Sequence, residues 1–154
     1  MLQVTIMNCF QTSAMALTAC LLGAGAMIAI PQAAKADSET FSLSPGFEPN
    51  PTVGSGQSGG DRWIEGCGYV NPEDSPDHVL KLTDNFDYLE IGIVADGDLT
   101  LFMKHLETGE VKCVDDSNET LLPEFYAEWS AGTYYLWVGD WESAFYRYEI
   151  YIGY

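Results

Sequence analysis

Residues 99–114 read LTLFMKHLETGEVKCV, and their pattern gives the clearest indication of the fold class. The apolar side chains of Leu99, Leu101 and Met103 alternate along the chain, as on the inner face of a half-buried β-strand. Residues 107–110 (ETGE) follow as a turn, with a glycine where a positive φ is expected, and VKCV then resumes an extended pattern. The stretch therefore predicts an antiparallel hairpin.

The same period of two recurs in both directions from this hairpin. Further strands are predicted over 78–83, 88–94, 133–138 and 145–152, with weaker ones at Phe41–Leu43 and Trp63–Ile64. Their predicted inward residues are Leu80 and Leu82; Leu89, Ile91 and Ile93; Tyr134, Leu136 and Val138; Tyr146, Tyr148, Ile150 and Ile152. No window shows a helical period. Short, regularly spaced strands separated by turn residues indicate an all-β, antiparallel β-sandwich.

One segment interrupts this pattern. Residues 45–60 (PGFEPNPTVGSGQSGG) are rich in proline, glycine and serine. This composition predicts a flexible loop. The alternative is a loop that is ordered over the sandwich and pinned through Cys67.

Composition excludes two classes of partner. The 154 residues include 6 Lys or Arg against 23 Asp or Glu, for a formal net charge of −17. Binding a nucleic acid requires clustered basic side chains, and an anionic membrane surface repels an acidic chain. Hydrophobic residues make up 47% of the chain, which is enough to build a core.

The N-terminus predicts export. Residues 14–30 are apolar and uncharged, and Ala34-Lys35-Ala36 is a small-x-small cleavage site, although the first 13 residues lack a Lys or Arg. We expect a signal peptide over residues 1–36 and a single mature domain over 37–154, secreted or periplasmic and without a membrane span. A retained membrane anchor and lipidation at Cys20 are the alternatives.

Cys67 and Cys113 remain after such a cleavage, and an even pair in an exported domain predicts a disulfide. Chain entropy alone gives such a bond about 4 kcal/mol. The alternative is a zinc site that adds His78 and His105, but these four residues lack the close spacing of zinc ligands.

Four stretches in matching order resemble the bacterial pre-peptidase C-terminal domain. They are Asp77–Leu80, Gly97–Leu101, Ala131–Val138 and Tyr146–Ile152, so the resemblance covers 77–152. It implies a jelly-roll-like sandwich, export, and a binding or accessory role without catalysis. Some collagenase relatives bind calcium and collagen through this domain, but part of their calcium-ligand set lies in a linker that has no match here.

Acidic loops flank the predicted hairpin. Asp96 and Asp98 precede its first strand, and Asp115, Asp116 and Asn118 follow its second. Antiparallel pairing puts both loops at one end, with position 98 opposite 118 or 119. Such hard oxygen ligands suit Ca²⁺, which is the one cofactor that we expect. The alternative is a solvated acidic rim whose residues were selected for turns.

Aromatic residues crowd the last 30 positions. Strand parity points Tyr135 and Trp137 away from the inward set, and Trp141 follows them. We predict that these three form a platform for sugar rings or peptide side chains. The alternative is that they lie beneath a second sheet or the 45–60 loop.

No catalytic set is evident. His78 and His105 are the only candidate imidazole bases, His105 is predicted to lie at the surface, and no Gly-x-Ser-x-Gly elbow occurs. The sequence favours a secreted, non-catalytic module that binds an extracellular or envelope protein or polysaccharide. A self-assembling cell-surface protein is the alternative, and a hydrolase is less favoured.

Overall fold

A computed structural model of the protein describes residues 38–117 and 119–154. These residues form eleven β-strands and no α-helix, which confirms the all-β class. The strands are β1 (Glu39–Leu43), β2 (Thr52–Gln57), β3 (Trp63–Ile64), β4 (Gly68–Tyr69), β5 (His78–Leu82), β6 (Phe86–Ala95), β7 (Leu99–His105), β8 (Val111–Val114), β9 (Glu124–Trp129), β10 (Gly132–Asp140) and β11 (Arg147–Gly153). In this part of the chain, no helix is long and apolar enough to cross a membrane. The expected signal peptide (1–36) and Cys20 lie outside the described residues.

The strands pair into two sheets. One sheet orders its strands β2-β11-β6-β9. The other is organised around β10, which pairs with β5 and β7 on its two sides and touches β4 through Asp140 and Tyr69. Strand β1 extends this sheet beyond β5, β8 extends it beyond β7, and β3 pairs with β4. The predicted sandwich is confirmed. The antiparallel expectation is wrong for one described pair, since β1 runs parallel to β5.

The main core lies between the two sheets and uses the residues that alternation selects. Among the described side chains, the largest core residues with almost no exposure are Leu80, Leu89, Ile91, Leu99, Leu101, Leu136, Ile150 and Ile152. Tyr134 and Tyr146 are partly buried and pack against this cluster. The predicted inward faces are therefore confirmed. Each fully buried aliphatic side chain contributes about 1.5–3 kcal/mol of hydrophobic stabilisation.

The prediction of a flexible loop over 45–60 is wrong at Thr52–Gln57. This segment is β2, which pairs with β11 from Gln57↔Arg147 to Thr52↔Ile152. Its glycines permit close packing: an added Cβ would lie 2.6 Å from Cζ of Phe41 at Gly54, and 2.3 Å from the hydroxyl oxygen of Tyr148 at Gly56. Glycine in this strand therefore indicates the close approach of other side chains.

Strand β9 was not predicted at all. Phe125, Ala127 and Trp129 alternate along it and contribute to the core side of the sheet. The small Ala127 on the inward side and the aromatic Tyr126 on the outward side make the apolar alternation of this strand weak. It is placed by its pairing with β6, where Ile91 opposes Phe125 and Leu89 opposes Ala127.

Candidate functional site

The β7–β8 hairpin positions an acidic end of the sandwich. Its turn contains Gly109 with φ 73°, and its register pairs Leu101 with Val114. Asp98 precedes β7 and Asp115 follows β8, so the two lie at the same end. The backbone N–H of Leu99 donates to the carbonyl of Leu121 at 3.1 Å, which holds the following loop against this end.

Three carboxylates converge there. One side-chain oxygen each of Asp98, Asp115 and Asp116 lies within 4.8 Å of the others. Oδ1 of Asp98 is buried and has no hydrogen-bond partner in the part of the chain that the structure describes. We call Asp98, Asp115 and Asp116 the carboxylate cluster.

Of the other two predicted metal ligands, Asp96 is not part of this cluster. Asp96 lines an adjoining cavity of about 490 Å³ together with Thr120 and Leu122. Asn118 lies outside the described residues. The structure therefore brings together three of the five predicted ligands, and the assignment of Asn118 stays a prediction.

Negative charge dominates the surroundings of Asp98. Burial raises the pKa of its carboxyl group, and the neighbouring carboxylates of Asp115 and Asp116 raise it further, followed by those of Glu142 and Asp140. The ionised cluster is therefore self-repelling, and a cation bound there would relieve the repulsion.

Trp141 links the cluster to β10. Its indole Nε1–H donates to Oδ1 of Asp115 at 2.7 Å, and its backbone N–H donates to the carbonyl of Asp98 at 3.1 Å. A single residue thereby ties together the two loops that carry the carboxylates. From sequence, Trp141 was predicted only as a ring of the binding platform, and this polar role was not predicted.

Asp140 organises the loop that carries Trp141. Its carboxylate is fully buried. Oδ1 accepts from the backbone N–H groups of Glu142 and Ala144, and Oδ2 accepts from the hydroxyl of Ser58 and the N–H of Phe145. Asp140 was not predicted as a site residue, because nothing in the local sequence pattern indicates these partners.

The predicted aromatic platform is wrong at Trp137. This side chain is 4% exposed, and its indole N–H donates to the carbonyl of Asp74 at 3.2 Å. It forms a second small core with Cys67 and Val70 on the other face of its sheet. Tyr135 is half-buried against the same cluster. The ribbon of β3 and β4, and not the 45–60 segment, therefore covers this face.

A different set of rings lies beside the carboxylate cluster, with Trp63 exposed and Tyr69 and Trp141 half-buried. Trp63 is 53% exposed and packs edge-to-face on Tyr69, with ring centroids 5.1 Å apart, and on Trp141 at 5.0 Å. We call Trp63, Tyr69 and Trp141 the aromatic patch. Trp141, one of the three residues of the predicted platform, is part of this patch, whereas Trp63 was predicted only as part of a short strand.

The predicted disulfide is confirmed. Cys67 and Cys113 are bonded, with their Cα atoms 5.8 Å apart. The bond joins the residue before β4 to β8, and it therefore fastens the ribbon that covers Trp137 to the hairpin that carries the carboxylate cluster. Because the bond uses both sulfurs, the alternative of a zinc site is wrong.

Both histidine side chains are buried, and each lies within hydrogen-bond distance of a neighbouring hydroxyl group. His78 is 1% exposed, and its Nε2 lies 2.8 Å from the hydroxyl of Tyr148. Burial lowers the pKa of His78 to about 4, so its contact with Glu39 is not an ion pair at neutral pH. His105 is 8% exposed and its Nδ1 lies 2.7 Å from Oγ1 of Thr108, so its predicted surface position is wrong.

We expect His78 to make the protein acid-sensitive. Its pKa in the folded state is about 4, against about 6.5 when unfolded, so the unfolded chain binds the proton more tightly. The stability due to this difference is present above pH 6.5 and is lost as the pH falls toward 4, by up to about 3 kcal/mol. Urea unfolding at pH 7 and at pH 4 measures it. His78→Gln should remove this part of the pH dependence, and an unchanged dependence would contradict the assignment.

Comparisons with known proteins show a structural likeness but no match in sequence. No protein-family model matches the chain. No curated protein matches it. Among solved structures, the chain is similar to the pre-peptidase C-terminal domain of a collagenase from Bacillus anthracis. The identity is 14% and the TM-score 0.48, over 75% of this chain and 95% of that one. This is the type of domain that residues 77–152 resemble in sequence.

Proposed function

We propose that the protein is an exported, non-catalytic β-sandwich binding module whose carboxylate cluster holds a calcium ion. The observation that carries the proposal is the convergence of Asp98, Asp115 and Asp116, in which Oδ1 of Asp98 is buried and has no hydrogen-bond partner among the described residues. The partner of this binding module would be an extracellular protein or polysaccharide that binds beside the carboxylate cluster.

The donor set fits this ion. Calcium takes six to eight oxygen ligands at about 2.3–2.6 Å, and it accepts both carboxylates and water. Asp98, Asp115 and Asp116 would supply the protein ligands, and water would complete the shell. Burial and, after it, repulsion by the neighbouring carboxylates raise the pKa of Asp98, and the cation would remove this repulsion. The disulfide at Cys113 and the indole of Trp141 hold Asp115 in place before the ion binds.

Three observations support a non-catalytic, exported role. His78 is neutral and buried against Tyr148, so its imidazole serves packing. His105 is likewise buried and hydrogen-bonded to Thr108. The Cys67–Cys113 bond suits an oxidising compartment.

Self-assembly through sheet edges receives less support. Strand β8 pairs only with β7 among the described strands, and Val111 at its start is exposed. However, Nζ of Lys112 lies 3.7 Å from the ring centroid of Phe125 in β9, which puts a positive charge across the gap between β8 and β9. A lysine at such an edge discourages the addition of another strand.

We expect calcium to stabilise the purified protein against heat. At a calcium concentration one hundred times the Kd, mass action adds about 2.7 kcal/mol, which for a domain of this size raises the Tm by about 10 °C. Melting in calcium and in chelator measures the shift. Asp98→Asn should abolish it, whereas the matched control Asp87→Asn, on the exposed part of β6, should retain it. An unchanged Tm of the wild-type protein would contradict the proposal.

Without calcium, we expect the Asp98→Asn variant to be more stable than the wild type. Folding raises the pKa of Asp98, so the folded state binds its proton more tightly than the unfolded state does. Stability from this group therefore falls as the pH rises above its unfolded value. At pH 7 without calcium, Asp98→Asn should melt at a higher temperature than the wild type. A lower Tm would show that the ionised Asp98 is stabilising by itself.

A further inference from the structure

The aromatic patch is a rigid surface feature. Trp63 lies in a two-residue strand opposite Tyr69, and its ring also packs on Trp141. Backbone bonds close the ribbon on both sides: the N–H of Cys67 donates to Ile64 at 3.0 Å, and that of Val70 donates to Arg62 at 2.9 Å. The disulfide at Cys67 anchors the ribbon. An exposed tryptophan that is already held in place loses little freedom on binding a partner.

The chemistry beside the patch is acidic. Asp61 and Glu65, two positions before and after Trp63, are both exposed, and Asp115 accepts from the indole of Trp141. The neighbouring cation, Arg62, forms an ion pair with Glu73. The chain as a whole has a formal net charge of −17. The surface around the patch therefore carries an excess of negative charge.

We propose that the aromatic patch, with Asp61, Glu65 and Asp115 around it, is a docking surface for the arginine and lysine side chains of a basic partner polypeptide. A cationic group over the exposed face of an indole is attracted by the ring quadrupole, and arginine stacks best. The surrounding carboxylates add long-range attraction that steers a basic segment toward the patch. This inference rests on the proposed function only in treating the protein as a binding module.

The contacts favour a cationic polypeptide over a sugar polymer. The indole N–H of Trp141, which would otherwise donate to a sugar hydroxyl, already donates to Asp115 at 2.7 Å. A neutral saccharide would gain nothing from the excess negative charge, and an acidic one would be repelled. Only a positively charged partner can both stack on the aromatic rings and be attracted by the surrounding carboxylates.

The test is a titration of the indole-labelled protein with a defined peptide, followed by nuclear magnetic resonance. The chain has four tryptophans, so four indole N–H resonances report on four places in the fold. The probe is the capped peptide Gly-Arg-Gly-Arg-Gly-Arg-Gly at low salt in chelator. We expect the resonances of Trp63 and Trp141 to shift with peptide concentration, and that of Trp129, which is buried in the main core, to stay.

Two variants and two control ligands make the result decisive. Trp63→Leu should weaken peptide binding at least fivefold, while Tyr126→Leu, an equally exposed ring on β9 in the other sheet, should leave it unchanged. The peptide with Gln in place of Arg should produce no shift, and added sodium chloride should weaken the Arg peptide. Equal shifts with the Gln peptide, or shifts with cellohexaose in place of the Arg peptide, would overturn the inference.

This experiment separates the docking surface from the calcium site, although Asp115 belongs to both. The chelator removes metal from the titration, and Trp63→Leu should leave the calcium-induced rise in Tm intact. Peptide binding without a calcium response would contradict the metal site alone. A calcium response without peptide binding would contradict the docking surface alone.

Discussion

The double variant Cys67→Ala/Cys113→Ala is expected to lose about 4 kcal/mol of unfolding free energy. The bond spans a sequence separation of 46 positions, and without it the unfolded chain regains the entropy of that loop. For a domain of this size the loss lowers the Tm by roughly 15 °C. Urea unfolding followed by tryptophan fluorescence measures the free energy directly.

Removal of the disulfide should destabilise the second core more than the main core. Cys67, Val70 and Trp137 are buried together there, and the disulfide fastens their cover to the hairpin. The matched control is the wild-type protein in reductant, which should unfold at the same urea concentration as the double variant. A loss below about 1 kcal/mol would show that hydrogen bonds and packing alone hold the ribbon of β3 and β4 in place.

The Asp140→Ala substitution is expected to lower the free energy of unfolding by about 3–5 kcal/mol. The buried carboxylate accepts four hydrogen bonds, from Ser58 and from the backbone of Glu142, Ala144 and Phe145. Bonds to a charged group are each worth about 1.5–3 kcal/mol, but their removal is not additive, and the freed donors in part find water. Urea unfolding again measures the loss.

The Asp140→Asn substitution removes the negative charge of the side chain but keeps its shape. The amide retains one oxygen acceptor in nearly the same volume, so we expect an intermediate loss of stability. Both variants should also weaken the calcium response, because the loop they loosen carries Trp141, which donates to Asp115. A loss within about 1 kcal/mol for Asp140→Ala would show that water replaces the carboxylate without cost.

The faces of the strands could be predicted from sequence, but not what covers them. Alternation placed Leu136 and Val138 inward and Trp137 outward, and this parity is correct. The prediction that Trp137 is exposed failed because β3 and β4 fold back over that face. Similarly, the glycines of β2 indicated a loop because their packing partners, Phe41 and Tyr148, are distant in sequence.

The candidate site was predictable where it depends on one hairpin. A turn at 107–110 is enough to bring Asp98 near Asp115 and Asp116, although the register is shifted by about one position from the predicted one. The contributions of β10 were not predictable, since they require its pairing with β7, where Asp140 opposes Leu99. That long-range pairing places Trp141 against Asp115.

The most direct test of the calcium site is terbium luminescence. Tb³⁺ occupies calcium sites and emits when a nearby excited indole transfers energy to it. Trp141 donates a hydrogen bond to Asp115, so an ion in the carboxylate cluster would lie close to this indole. We predict sensitised emission from the wild-type protein that calcium displaces, that Asp98→Asn/Asp116→Asn abolishes, and that Asp87→Asn retains. Absent emission, or equal emission from the double variant, would contradict a calcium site at this end of the sandwich.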